Sequence, residues 1–134
     1  MSHPNEDTLR RGYGAFAHGD LEGFLAICTD DVTFTVPGTS PVSGVYNRQS
    51  FIPWIAHVIG LTGGTFREDV IDVFANDSHG VLLLRHSFER DGRPQEYRTA
   101  HICELRDGRI AKWTEHPGSL TEFDAAWSVD YRRA

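Results

Sequence analysis

His101, Glu115 and His116 all fall within one sixteen-residue stretch, HICELRDGRIAKWTEH, which spans residues 101–116. A histidine exchanges protons near neutral pH, and a carboxylate walled in by apolar groups has its acidity shifted, so the set is suited to proton transfer. Their chemistry depends on which face of the hairpin carries them. Asp107-Gly108 separates two apolar, β-forming runs and signals a tight turn. A two-residue loop pairs His101 with Thr114. A three-residue loop, Arg106-Asp107-Gly108 with Gly108 left-handed, pairs His101 with Trp113 and sets Glu115 beside Thr99. The longer loop gathers Tyr97, Cys103, Leu105, Ala111 and Trp113 on one face and sends Lys112 to the other, which avoids burying an unpaired ammonium. It is therefore the loop expected. His101 and Glu115 then share the apolar face with Trp113, and His116 points away.

The preceding strand adds a further group. Within residues 81–90, Leu82, Leu84, His86 and Phe88 form the more apolar face, so His86 is expected inside; Arg85 takes that place instead if a bulge intervenes. His57 sits beside a helical apolar stripe and is expected at the surface, as are His18 and His79 near turns. No HExxH or CxxC spacing occurs. A His86–His101–Glu115 ligand set is conceivable on neighbouring strands, but no metal is expected. The glycines form neither a P-loop nor a dinucleotide fingerprint, so no nucleotide cofactor is indicated. Tyr13, Phe16, Phe24, Phe34, Trp54, Phe74, Phe88 and Trp113 fall mostly on predicted inward faces. Most aromatic residues are core by frequency, yet those near an open end can stack on a flat ligand.

These groups need a scaffold, and the sequence divides into helices followed by strands. Leu9, Tyr13 and Phe16 mark one helix face, and Leu21, Phe24, Leu25 and Cys28 mark a second helix capped by Asp20. Residues 32–36 alternate as a strand that ends at Pro37-Gly38, and TSPVSGVYN reads as a loop. A third helix covers about residues 48–59, capped by Asn47 or Ser50, with Pro53 in its first turn and Phe51, Ile55, Val58 and Ile59 as its stripe. Strands are predicted at 66–75, 81–90, 95–105 and 109–116. Ser119 to Glu122 is a capping box that opens a short last helix with Phe123 and Trp127. Helices first and an antiparallel meander after them give an α+β fold, read as one domain over residues 1–134.

The 134-residue chain is long enough to bury a sizeable core, and its hydrophobic content of 40% with 24% charged residues fits a globular protein. A net charge of −6 leaves no basic face for nucleic acid or an anionic membrane. No apolar run reaches the roughly 20 residues that cross a bilayer, and MSHPNEDTLRRG has no signal-like apolar region. Cys28 and Cys103 read as reduced core residues, so a cytoplasmic location is expected.

Over residues 8–127 the chain resembles the SnoaL-like, ketosteroid isomerase-related proteins of the nuclear transport factor 2-like superfamily. The resemblance is carried by YGAFAHGDLEGFLAICTDDVTFTVPG, PVSGVYNRQSF, DGRIAKW and EHPGSLTEFDAAW, in that order. It implies a cone-shaped, curved antiparallel sheet wrapped around three N-terminal helices, a deep apolar cavity, a short C-terminal helix, and homodimers formed through the outer sheet face. At the position of the isomerases' aspartate base this chain has Val36. At the positions of their oxyanion donors stand Gly12, with Tyr13 next to it, and His101. Relatives of limonene epoxide hydrolase carry an Asp-Arg-Asp set near Glu115, Arg85 and Ser87. Polyketide cyclases place an acid or histidine late in the last strand, where Glu115 and His116 lie here.

The expectation is therefore an enzyme that performs cofactor-independent acid/base chemistry on a small hydrophobic carbonyl compound: isomerisation, cyclisation or dehydration. His101 and Glu115 are the expected proton carriers and Tyr13 the enolate partner. Trp54, Trp113, Phe34, Val36 and His86 are the expected substrate contacts. The alternative is a non-catalytic module of the same fold that binds a hydrophobic or aromatic ligand or serves dimerisation.

Overall fold

Two Asp-Gly pairs set the framework of the sheet. Asp91-Gly92 and Asp107-Gly108 all adopt left-handed backbone, with φ of 51°, 80°, 52° and 77° respectively. That is the signature of a type I′ turn, whose twist matches the strands it joins. A computed structural model describes residues 3–128, in the order α1 (Pro4–Ala17), α2 (Leu21–Leu25), β1 (Cys28–Val36), β2 (Gly44–Asn47), α3 (Arg48–Leu61), β3 (Arg67–Ala75), β4 (His79–Arg90), β5 (Arg93–Arg106), β6 (Arg109–Pro117) and α4 (Leu120–Trp127). The strands form one six-stranded curved sheet in the order β2-β1-β6-β5-β4-β3. It is a mixed sheet, because β1 and β6 run parallel while every other pair is antiparallel. The wholly antiparallel sheet expected from the sequence is corrected at that one seam. The chain from β1 to β6 returns through one helix and four strands, a connection long enough to bring β6 back parallel to β1.

Both ends of α1 and α3 are fixed locally. His3 caps α1, with its Nδ1 accepting from the Asn5 N–H at 3.0 Å, and Asn47 caps α3 through the Ser50 N–H at 2.9 Å. α1 packs on β3 and β4, α3 on β1 and β2, and α4 on β5 and β6. Three expectations about these elements change. Cys28 opens β1 instead of closing α2, because α2 stops at Leu25 and the Ile27 carbonyl already accepts from Ile110 N–H at 2.8 Å. The segment read as a loop contains β2, too short for its alternation to be legible in sequence. Pro53 lies in the second turn of α3, since the helix begins at Arg48.

The hairpin carrying His101 and Glu115 also differs in detail. Arg106 pairs with Arg109, so the loop has two residues and not three. A bulge then sets Leu105 opposite Ile110 and Glu104 opposite Lys112, leaving Ala111 as the extra residue. The two shifts compensate: His101 pairs with Glu115 and Cys103 with Trp113. The predicted inward face is reached by another route, and Ile110, not Ala111, joins it as a fully buried residue.

Inside the sheet lies an aromatic core. Phe24 stacks on Phe51 with centroids 5.3 Å apart, Tyr46 on Trp54 at 4.4 Å, and Phe88 on Trp127 at 4.1 Å. Ile59 and Phe74, both expected inside, are 48% and 52% exposed. Ile59 lies beyond the buried stripe of α3, and the β3 bulge between Val70 and Asp72 shifts the alternation that places Phe74. Gly38 ties the end of β1 to α4: its φ is +92°, and a Cβ there would stand 2.2 Å from the Asp124 carboxylate, which accepts from Thr39 N–H. Gly38→Ala is expected to lower stability by roughly 1–3 kcal/mol, read as a fall in the urea midpoint with an unchanged m-value.

Candidate active site

β5 and β6 bring His101 and Glu115 into direct register, and α1 delivers Tyr13 from the opposite wall. His101 is 1% and Glu115 5% exposed. The Glu115 carboxylate accepts two hydrogen bonds on Oε2, from Thr99 Oγ1 at 2.5 Å and from His101 Nε2 at 3.2 Å. An ionised carboxylate only accepts, so His101 carries its proton on Nε2. Its other nitrogen, Nδ1, meets the Tyr13 hydroxyl at 2.7 Å, and Trp113 Nε1–H donates to the same hydroxyl at 2.8 Å. With the imidazole neutral, the proton order runs in one direction: Trp113 to Tyr13, Tyr13 to His101, His101 to Glu115.

Electrostatics sets how each member holds its proton. Burial pushes the Glu115 carboxyl up, but the charge and hydrogen bond of His101, the charge of His86 and the Thr99 hydroxyl outweigh it and bring it down to about 2. Burial holds the Tyr13 phenol well above the ordinary tyrosine value, reinforced by Cys103, Glu68 and Glu115 and opposed by the Trp113 hydrogen bond. Burial likewise raises both thiols, Cys28 to about 12 and Cys103 further; both are free and inert at neutral pH.

A second chain of the same composition lies alongside. His86 Nε2 meets Glu68 Oε2 at 2.7 Å, His86 Nδ1 meets the Tyr97 hydroxyl at 2.9 Å, and Trp127 Nε1–H donates to that hydroxyl at 2.9 Å. Burial lowers the affinity of His86 for a proton, but the hydrogen bond it donates to Glu68 and the charges of Glu115 and Glu68 outweigh it, so its pKa is raised. The two imidazole rings are 5.8 Å apart. Arg85 points outward instead, paired with Asp69 at 3.1 Å, because β4 has no bulge there.

Both chains border one cavity of about 60 Å³ between the helices and the sheet. Its polar lining is Tyr13, Glu68, His86, Tyr97, His101 and Glu115, and the apolar lining includes Val36, Trp54 and Trp113. Phe34 is fully buried but packs behind this wall, against Phe51, Trp54 and Trp113. His57, His18, His79 and His116 are exposed. A space of about 60 Å³ holds roughly two waters at the ~30 Å³ each occupies in the liquid, whereas a cavity that binds benzene is nearer ~150 Å³. Glu68, His86 and His101 present ligand atoms within 4.8 Å of one another. All four ring nitrogens of the two histidines are nevertheless engaged in hydrogen bonds, so a metal ion would have to displace some of them.

Glu68, Tyr97 and Trp127 were not singled out by the sequence as site residues. Tyr97 was legible as inward-facing. Glu68 had a fainter signal, two residues after Phe66 in the strand alternation. Trp127 signalled only a core helix.

The cavity, the curved sheet and the three N-terminal helices define a class, and the sequence match agrees: residues 9–113 fit the SnoaL-like domain model. The chain belongs to the SnoaL-like domain family, within the NTF2-like fold. It is 26% identical over 124 residues to an uncharacterized protein of Mycobacterium tuberculosis, covering 91% of this chain and 95% of that protein. Among solved structures it superposes on Bal32a, from a soil-derived mobile gene cassette, with a TM-score of 0.85 at 28% identity, over 92% and 95% of the two chains. An NTF2-like protein of unknown function from Burkholderia pseudomallei gives 0.82 at 23% identity, over 93% and 98%. No helix among the described residues is long and apolar enough to cross a membrane.

The charge state of the site makes stability depend on pH. Glu115 is depressed in the fold, so its contribution is complete above its ordinary value of 4.5 and is lost as the pH falls toward about 2. His86 is raised, so its contribution is present below 6.5 and is lost as the pH climbs through the raised value. Stability is expected to peak between those limits. Glu115→Gln should flatten the acid limb and cost roughly 1.5–3 kcal/mol, measured by urea unfolding at several pH values.

Proposed function

We propose that this protein is an enzyme of cofactor-independent proton transfer next to a carbonyl group, acting on a small, largely apolar ketone. The observation that carries this reading is the buried Tyr13–His101–Glu115 chain at the cavity wall. The sequence left Glu115 and His101 as rival bases, and the geometry supports a division of labour. Glu115, held near 2, is a weak base that orients His101 and stabilises its imidazolium. Tyr13 takes the substrate proton as its own passes to His101 Nδ1, and the Trp113 N–H steadies the phenolic oxygen.

Trp54 supports a carbonyl ligand. It lines the cavity, is 9% exposed, and its Nε1–H has no acceptor among the described residues. A buried donor left unpaired costs free energy that a ligand oxygen would recover. Turnover of anything larger than a few atoms requires the aromatic wall to part, and Phe16, Phe66 and Glu68 are its half-buried members.

A second reading rests on the saturation of the same network: every histidine nitrogen in it is already bonded, as in a module that holds a ligand without turnover. One experiment separates them. Incubated in D2O with butan-2-one or 4-phenylbutan-2-one, the enzyme should accelerate deuterium incorporation at the α-carbon, followed by proton NMR. His101→Phe should reduce that rate by roughly 100-fold or more. Wild-type protein that binds these ketones without exchange would leave the binding module standing.

We further propose a homodimer through the outer sheet face, in a cytoplasm that keeps Cys28 and Cys103 reduced. Phe74 pairs with Val81 and Val81 with Ile102, while Leu83 lies beside them opposite Ala100. Phe74, Leu83 and Ile102 are all exposed, an apolar row of the kind that marks an interface. Ile102→Glu should convert the dimer to a monomer in light scattering at micromolar concentration.

A further inference from the structure

The cavity has two proton-handling chains, and a single proton transfer uses only one. Trp113–Tyr13–His101–Glu115 and Trp127–Tyr97–His86–Glu68 match group for group: indole, phenol, imidazole, carboxylate. They share only β5: the first is drawn from α1, β5 and β6 and the second from β3, β4, β5 and α4, so most of each chain is supplied independently of the other. Tyr13, Tyr97 and both histidines line the same cavity. Resting on the proton-transfer reading above, we infer that the second chain is a general acid and that the substrate class is a β-hydroxy ketone, which the enzyme dehydrates to an enone.

The step balances without any co-reactant. The α C–H bond breaks, and its proton goes to the Tyr13 oxygen as Tyr13 O–H passes to His101 Nδ1. The released electron pair becomes the new C=C bond. The Cβ–O bond breaks with its own pair, and the departing hydroxide takes the Tyr97 proton, which His86 Nδ1–H replaces. The products are enone and water. His101 has gained one proton and His86 has lost one, and the two rings, 5.8 Å apart, face the same cavity through which the balance is restored.

The neighbours of His86 suit it to the donor role. Glu68 on β3 binds its Nε2 at 2.7 Å, Tyr97 on β5 binds its Nδ1, Glu115 on β6 adds a further negative charge, and the facing titratable ring is His101. The charged surroundings favour a proton on His86. His101, by contrast, receives the Tyr13 hydroxyl on an open lone pair when neutral. Glu68 acts through His86 and is a positioning residue; Tyr97 is the group that meets the leaving oxygen.

The probe is 4-hydroxy-4-phenylbutan-2-one, with 4-hydroxybutan-2-one as the smaller companion, each followed in D2O for α-deuterium incorporation by NMR and for enone formation by absorbance. Wild-type enzyme should do both. Tyr97→Phe should lower the ratio of elimination to exchange by roughly 100-fold or more, the scale of one general acid, while Tyr13→Phe lowers both rates together. Glu68→Gln should shift the basic limb of the elimination profile to lower pH, because His86 loses its proton more readily, and circular dichroism and thermal unfolding confirm that each variant is folded. Exchange without elimination of either probe in the wild type would overturn this inference and leave the proton-transfer reading intact. Equal losses of both rates in Tyr97→Phe would overturn it as well, assigning the second chain to structure. Absence of exchange itself would remove the proposed function, and this inference with it.

Discussion

A carboxylate inside a wall of aromatic rings is the constraint on which this structure depends. Glu115 sits between strands, shielded from water, and an ion in that position is tolerated only where hydrogen bonds and opposite charge replace its hydration. Thr99 and His101 both hydrogen-bond one of its oxygens, and the raised pKa of nearby His86 favours a positive charge close by. Those two side chains must in turn be held to the geometry, which fixes the register of β5 against β6 and makes the hairpin turn and its bulge structural necessities. Tyr13 then closes the far side of His101, which ties α1 to the sheet by a polar contact between residues 88 apart in sequence. Glu68, His86, Tyr97 and Trp127 repeat the solution, so the interior carries two negative charges and two groups able to neutralise them.

Much of this was legible in the residues, for identifiable reasons. Apolar periodicity and Asp-Gly pairs located the helices and the meander, because i, i+3, i+4 spacing and left-handed turn positions are local requirements. The inward orientation of His101, Trp113 and Glu115 followed from the cost of burying Lys112. The route to it did not: a bulge at Ala111 changes pairing without leaving a mark that a two-residue period detects. Phe74 was misplaced for the same reason, by the bulge in β3. Glu68 was missed because its partner lies across a strand pair whose register no local signal specifies. The parallel pairing of β1 with β6 was invisible too, since alternation tells which face is buried and not which strand is the neighbour.

The aromatic shell sets the scale of what the site accommodates. Stacked pairs such as Tyr46–Trp54 and Phe88–Trp127 close the space down to about 60 Å³ around six polar side chains. A low-dielectric enclosure of that kind strengthens every charge interaction within it.

The seam between β1 and β6 carries one more implication, for the order in which the molecule assembles. β1 emerges early during synthesis, but its central neighbour is the last strand made, and only the short β2 is available to it beforehand. Long-range closure of this sort slows the search for the native topology and leaves an apolar strand unsatisfied on the ribosome. Tyr13 waits likewise for partners at positions 101 and 113. The hydrogen-bonded Trp113–Tyr13–His101–Glu115 chain thus comes together only at the final zippering of the sheet, and nascent or shortened chains carry its components without the arrangement.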